Sequence, residues 1–130
     1  MGLNTSAMMH LVEGFDPRYI GLYLDPGHLS IVGEPIEMAL DIAGKYLAVV
    51  SMKDLMRQRV LRDGEATWET RVVRLGHGFG DLCALVRALA RMGFAGPVSF
   101  HSEYSGEPVE TVIDLARIDV RYVRALLAQV

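Results

Sequence analysis

The stretch Ile20-Gly21-Leu22-Tyr23-Leu24, followed by Asp25-Pro26-Gly27-His28, decides the fold. Its first five residues are apolar at nearly every position, which is typical of a strand buried on both faces of a parallel sheet. Asp25 and His28 then bring a carboxylate and an imidazole to the point where this strand passes into a loop. Ligands and metals bind at the carboxyl ends of parallel strands in α/β proteins, so the segment predicts a site as well as a strand.

Two later segments repeat the pattern. Residues 46–50 are continuously apolar and lead into Ser51-Met52-Lys53-Asp54, and residues 96–102 form a third predicted strand that ends beside Glu103. Side chains two apart on a strand share a face, so His101 and Glu103 are expected to point into one pocket. The alternative for each group is a solvated residue at a strand end, because Asp-Pro-Gly is ordinary turn chemistry and Lys53 can pair with Asp54 in water.

Helical patterns separate these strands. Residues 5–13 predict a short helix, Glu34-Pro35 opens a second, Asp81 caps a third, and the chain from residue 109 is mostly helical with a break or bend near 114–119. Strands that alternate with helices imply parallel pairing through right-handed crossovers. We therefore predict an α/β fold in a single domain over residues 1–130.

The region between the second and third strands shows little periodicity. Residues 53–75 are charged and predict a long loop with one short extended piece at 71–75. The turn Gly76-His77-Gly78-Phe79-Gly80 precedes a helix and could bind an anion, although it matches no phosphate-binding motif.

Composition excludes several classes of protein. The chain has 130 residues, 51% of them hydrophobic, and a net charge of −3 with no basic face, so we expect no nucleic-acid partner. No apolar run approaches the length of a membrane span, and no secretory signal is evident at the N-terminus. Cys83 is the only cysteine; we expect it to fill a small buried space in a cytoplasmic, reducing compartment.

Taken together, these segments resemble the C-terminal part of a sugar-phosphate isomerase/epimerase of the xylose-isomerase-like TIM barrel superfamily. Residues 20–28 resemble the family's strand six with its D-x-x-H, and residues 46–54 resemble strand seven, where the family usually has His-x-Lys-Asp. Leu75-Gly76-His77-Gly78 resembles the family's L-G-x-G, residues 93–103 resemble strand eight with its terminal Glu, and residues 116–127 resemble the closing helix.

The resemblance implies a partial (β/α) barrel of about three parallel strands and one divalent metal, Mn²⁺, Mg²⁺, Co²⁺ or Zn²⁺. It implies Asp25 and Glu103 as metal ligands, and His101 could add a third. Glu103 and His28 would be catalytic, moving a proton next to a carbonyl while the metal stabilises the enediolate. The residues expected to contact a sugar or sugar phosphate are His28, Lys53 and Arg57.

Two departures from the family leave the function open. Ser51 stands at the strand-seven His position, and a further glutamate ligand of the family belongs to strand five, which is not in the sequence. The chain is therefore either a metal-dependent isomerase/epimerase or a non-catalytic, oligomeric partial-barrel binding module with a degenerate metal site. A third candidate, an apurinic-site endonuclease, disagrees with the acidic charge.

Three strands alone leave two unpaired edges and, we expect, an uncovered apolar inner face. Self-association as a homo-oligomer, in the first place a dimer, follows from this expectation.

Overall fold

The computed structural model describes residues 4–130, so the first residues of the predicted 1–130 domain lie outside it. Its helices are α1 (Thr5–Val12), α2 (Pro26–Val32), α3 (Ile36–Ala43), α4 (Leu82–Arg91) and α5 (Val109–Leu127). Its strands are β1 (Leu22–Leu24), β2 (Leu47–Met52), β3 (Asp54–Arg62), β4 (Glu65–Val73) and β5 (Val98–Phe100). A 3₁₀ turn, Gly44–Tyr46, joins α3 to β2.

The predicted parallel sheet is confirmed. Its order is β1-β2-β5, and both pairings are parallel, with Leu24 opposite Val50 and Ser51 opposite Ser99. Residues that face the helices form the core. That core contains Leu24 and Val50 from the sheet, Leu40 from α3, Leu85 from α4 and Val123 from α5. Among the described residues the sheet does not close on itself, and β1 and β5 are its edges.

The opposite face of the sheet is polar, which corrects the expectation of an apolar inner face. Side chains alternate along a strand, so Tyr23 lies on the other side of β1 from Leu22 and Leu24. The Tyr23 hydroxyl hydrogen-bonds to Ser99 and to His101, which extends from the end of β5. Because β2 lies between β1 and β5, the Tyr23 side chain reaches across β2.

The predicted loop over residues 53–75 is wrong. Strands β3 and β4 form an antiparallel hairpin, with Asp54 opposite Val73 at its base and Arg62 opposite Glu65 at its tip. Asp63 and Gly64 connect them with φ of 53° and 83°, the positive angles of a type I′ turn. Most hairpin side chains are exposed or half-exposed, so the apolar alternation that signals a strand is weak.

Three smaller expectations also need correction. His28 lies in helix α2, not in a loop: Asp25 caps this helix by accepting hydrogen bonds from the backbone N–H groups of Gly27 and His28. Helix α5 runs unbroken from Val109 to Leu127, with no break near 114–119. Cys83 is exposed on α4 and fills no core space.

The glycine-rich turn at residues 76–80 does bind an anion, and that anion is the protein's own Asp54. Asp54 is fully buried, and its carboxylate accepts backbone N–H hydrogen bonds from Leu55 at 2.9 Å, Gly76 at 3.0 Å, Gly78 at 2.8 Å and Gly80 at 3.1 Å. A Cβ atom at position 78 would lie 2.1 Å from Asp54 Oδ1, so only glycine fits there. The turn therefore has no free N–H groups at these three glycines for an external phosphate.

No helix in the described part of the chain has the length and apolarity needed to cross a membrane.

Replacing Asp54 with Asn should lower the free energy of unfolding by about 3 kcal/mol. The NH₂ group of the amide would face backbone N–H groups whose hydrogen bonds the carboxylate now accepts. Urea denaturation measures this difference. The matched control is Asp114→Asn on the exposed surface of α5, with an expected change below about 0.5 kcal/mol. Equal losses in the two variants would contradict the role given to Asp54.

Candidate functional site

Five charged or titratable side chains converge at the carboxyl end of the sheet. Asp25 follows β1, Lys53 follows β2, and His101 and Glu103 follow β5, while His28 lies one turn into α2. Lys53 Nζ lies 2.7 Å from Glu103 Oε2 and 3.9 Å from Asp25 Oδ2. Because β1, β2 and β5 run parallel side by side, their ends bring these groups together.

The two carboxylates of this cluster differ in their surroundings. Asp25 is largely buried, with a side chain 12% exposed, and accepts two backbone N–H hydrogen bonds at the start of α2. The side chain of Glu103 is 59% exposed and is accessible to a ligand. The hydrogen bond from Lys53 lowers the pKa of Glu103, an effect that burial partly opposes. Glu103 is therefore ionised at neutral pH.

His101 contacts both carboxylates and Tyr23. Its Nδ1 lies 3.5 Å from Asp25 Oδ2 and 3.7 Å from Glu103 Oε1, and this buried atom has no hydrogen bond among the described residues. Its Nε2 contacts the Tyr23 hydroxyl. Because two carboxylates face Nδ1, the favoured tautomer has the proton on Nδ1, while Nε2 accepts from Tyr23.

A cleft of about 570 Å³ opens beside this cluster, between α2, the base of the hairpin and residues 103–107. His28, Lys53 and Glu103 line it together with side chains that the strand-end pattern did not predict. The added polar residues are Glu69, Thr70, Arg71, Tyr104, Ser105 and Glu107. A second, apolar groove of about 350 Å³ lies between α4, α5 and β5, away from the charged groups.

Tyr104 anchors the segment that carries Glu103. Its hydroxyl donates a hydrogen bond to Asp119 of α5, and the same Asp119 carboxylate accepts from the backbone N–H of Leu75 at 3.1 Å. Burial, followed by the hydrogen bond to Asp119, raises the pKa of Tyr104, which therefore stays protonated. Glu103 was predicted from the sequence, whereas Tyr104 gave no signal of its own beyond the strand that precedes it.

Arg57 lies apart from the cluster. Its guanidinium is 5.1 Å from the centre of the Trp68 ring, and it does not line the cleft. Arg71 on β4 lines the cleft instead. Because residues 53–75 are predicted as a loop, the sequence provides no strand alternation for β3 or β4. It therefore cannot show which of Arg57 and Arg71 faces the cleft.

A divalent ion at this cluster would depend on the side chains of Asp25, His101 and Glu103 as its ligands. Two carboxylates and an imidazole are suitable ligand types. However, the Lys53 ammonium group lies between Asp25 and Glu103, at 3.9 Å and 2.7 Å from their carboxylate oxygens. At the strand-seven ligand position Ser51 is fully buried with its hydroxyl unpaired among the described residues. Within residues 4–130 no group of three His, Cys, Asp or Glu side chains has the geometry of a metal site. The arrangement does not fit a divalent ion.

Comparisons with known proteins agree with this architecture. A family model described as "Xylose isomerase-like TIM barrel" matches residues 1–126. A xylose isomerase domain protein from Planctomyces limnophilus is 26% identical with a TM-score of 0.71, and the match covers 95% of this chain and 43% of that one. No curated protein sequence matches the chain.

A second solved structure, a D-psicose 3-epimerase from Clostridium cellulolyticum H10 with D-tagatose, is 16% identical with a TM-score of 0.66. It supports the fold alone, and the match covers 95% of this chain and 44% of the epimerase. The chain thus spans less than half the length of these structures, and its sheet corresponds to part of a barrel. With a family model that extends over nearly its whole length, the chain belongs to the xylose isomerase-like TIM barrel family.

Proposed function

We propose that the cleft binds a small polyhydroxylated carbonyl compound, a sugar or sugar phosphate, and that Glu103 transfers a proton at the carbon next to the carbonyl. The observation that carries this proposal is the 2.7 Å contact between Lys53 Nζ and Glu103 at the cleft wall. It places an ionised, accessible carboxylate beside a nearly buried cation. The hydroxyl-binding groups around them, His28 and Arg71 among them, suit a sugar.

Glu103 and Lys53 have complementary roles in the proposed reaction. The Glu103 carboxylate takes the proton from the carbon, so the C–H bond breaks and its electron pair moves toward the carbonyl oxygen. Protonation of Glu103 weakens its ion pair, which frees the Lys53 ammonium to stabilise the enediolate oxygen. To give an isomer, Glu103 returns the proton to the neighbouring carbon while the hydroxyl proton of the first carbon moves to the former carbonyl oxygen. An epimer forms instead when a second acid protonates the same carbon from the opposite face and Glu103 releases its proton to solvent.

A second candidate, a sugar-binding module without catalysis, is favoured by Ser51 and Lys53. Ser51 stands at the position of a metal-binding His in the family, and the Lys53 ammonium group lies between the carboxylates that would bind the ion. A protein that had lost the metal in this way would keep the cleft and the fold. Binding without proton exchange is the property that distinguishes this candidate.

Self-association is part of the proposal. Within residues 4–130, strands β1 and β5 each pair on one side only, and unpaired strand edges attract further strands. On the edge strand β5, Val98 is 41% exposed. A second copy of the chain paired along β5 would cover both the unpaired edge of this strand and the side chain of Val98. We further place the protein in a reducing, cytoplasmic compartment, on the basis of its single cysteine.

Glu103→Gln should lower the incorporation of deuterium next to the carbonyl of a bound ketose by about 10²-fold or more, since the amide cannot accept the proton. Proton NMR of D-tagatose, D-fructose and D-fructose 6-phosphate in D₂O measures the exchange, and calorimetry measures binding. Glu107→Gln, a second carboxylate of the cleft, is the control with unchanged exchange. If the wild-type protein binds a sugar without deuterium exchange, the result supports the sugar-binding module without catalysis. If it shows neither binding nor exchange, the result contradicts the proposal.

Lys53→Met should raise the pKa of Glu103, which the Lys53 hydrogen bond now holds below its usual value of 4.5. Because the pKa of Glu103 is lower in the folded state than in the unfolded state, the ion pair stabilises the protein at any pH above the unfolded-state pKa. This stabilisation is lost as the pH falls through the folded-state pKa. Carbon-13 NMR of the Glu103 carboxyl measures the shift. Asp16, whose pKa is lowered mainly by Arg18, is the internal control and should not change. An unchanged Glu103 pKa would exclude the pairing.

Sedimentation velocity at micromolar concentration should show a dimer, and Val98→Lys should dissociate it because a charge on an edge strand opposes pairing. Val130→Lys, at an exposed position outside the sheet, is the control and should remain dimeric. A monomeric wild-type protein would contradict this part of the proposal.

A further inference from the structure

Helix α5 carries an apolar stripe that is exposed or half-exposed within residues 4–130. Its members recur at spacings of three, four and seven residues and are Val109, Ile113, Ala116, Val120 and Leu127. This is the heptad spacing of helices that pack side by side. Ile113 is 46% exposed and Leu127 is 53% exposed, whereas Val123, on the core side of the helix, is buried. The spacing therefore predicts another helix as the neighbour of this stripe.

The stripe is continuous with the apolar groove beside the edge strand. Val120 and Leu127 line this groove of about 350 Å³ together with Val98 and Phe100 of β5. The open edge of β5 and the stripe thus form one surface. Strand β5 has three residues, about 10 Å of backbone, which is too short to supply an interface of the usual size by itself. Helix α5 has 19 residues, about 28 Å, and extends the same surface well beyond the strand.

Charged side chains flank the stripe in two blocks of opposite sign. The N-terminal half of α5 carries Glu110 and Asp114, and the C-terminal half carries Arg117, Arg121 and Arg124, all of them exposed. Within residues 4–130, Glu110, Arg121 and Arg124 form no ion pair. The helix dipole favours the same order of charges, but it acts only in the first and last turns, and Asp114 and Arg117 lie further in. The helix is therefore complementary in charge to a copy of itself that runs in the opposite direction.

We propose that α5 packs antiparallel against α5 of a second copy of the chain, in the same two-fold interface as the β5 edge. The alignment that pairs the charges places Glu110 beside the partner's Arg124 and Ile113 beside the partner's Val120. A two-fold axis repeats each of these pairs, so both charged blocks are neutralised at once. Ala116 lies near the axis, where its small side chain allows a close approach of the two helices. This inference rests on the proposed self-association and specifies its surface.

This interface leaves the candidate site open. Of helix α5 only Leu115 lines the polar cleft, and the stripe faces another direction. Sugar binding measured by calorimetry is therefore expected to be the same in the variants below and in the wild-type protein.

A charge exchange tests the pairing of the two helices. Glu110→Arg and Arg124→Glu should each raise the Kd of the dimer at least about tenfold, since each change places like charges together twice across the axis. The double variant Glu110→Arg/Arg124→Glu restores opposite charges and should return the Kd to within about threefold of wild type. Sedimentation equilibrium at low salt measures these values. Arg87→Glu, at an exposed arginine of α4 outside the stripe, is the matched control and should dimerise normally.

A cysteine near the proposed axis tests the alignment. In a Cys83→Ser background, Ala116→Cys should form a disulfide-linked dimer on mild oxidation, because the residue and its counterpart lie within reach of each other. Ala125→Cys, exposed elsewhere on the same helix and far from the axis, is the control and should stay unlinked. Gel electrophoresis without reductant separates the two products.

Three results would overturn the helix pairing. They are a dimer that neither charge reversal weakens, a double variant that dimerises no better than the single ones, and equal crosslinking of the two cysteine variants. If Val98→Lys alone dissociates the dimer, the strand edge is the contact and the α5 surface is excluded. A monomeric wild-type protein would overturn the self-association together with this surface, while sugar binding at the cleft would be judged separately.

Discussion

The buried Asp54 carboxylate, surrounded by backbone N–H groups, is the interaction on which the rest of the structure depends. It joins the start of β3 to the glycine-rich turn that precedes α4, segments more than twenty residues apart in sequence. Such a carboxylate is costly to bury unless donors surround it, and here the close approach of Gly76, Gly78 and Gly80 supplies them. The requirement for glycine at position 78 follows from the same contact.

The hydrogen bonds between Asp54 and the glycine-rich turn also position the candidate site. Lys53 immediately precedes Asp54, so fixing Asp54 beneath the glycine turn directs the Lys53 side chain to the other side, toward Asp25 and Glu103. The hairpin begins at the same point, and its base forms one wall of the cleft. A single buried carboxylate thus sets both the cation of the site and the wall against which a ligand would lie.

The sequence was sufficient to predict the parallel strands and the convergence of their polar ends. Continuous apolar runs followed by Asp25 or Glu103 are local signals, and parallel pairing brings such ends together. The hairpin was missed because its exposed faces carry no apolar alternation, although Asp63-Gly64 was a turn signal. The polar inner face was missed because it depends on Tyr23 reaching across β2 to His101, a contact between residues far apart in sequence.

The central claim, that Asp54 organises the glycine turn, can be measured at the donors themselves. Amide hydrogen exchange of Gly76, Gly78 and Gly80, followed by NMR at neutral pH, should show strong protection of all three in the wild-type protein, although they lie outside any helix or strand. Exchange at the rate of an unstructured loop would contradict the account, because the carboxylate could then not be holding these groups.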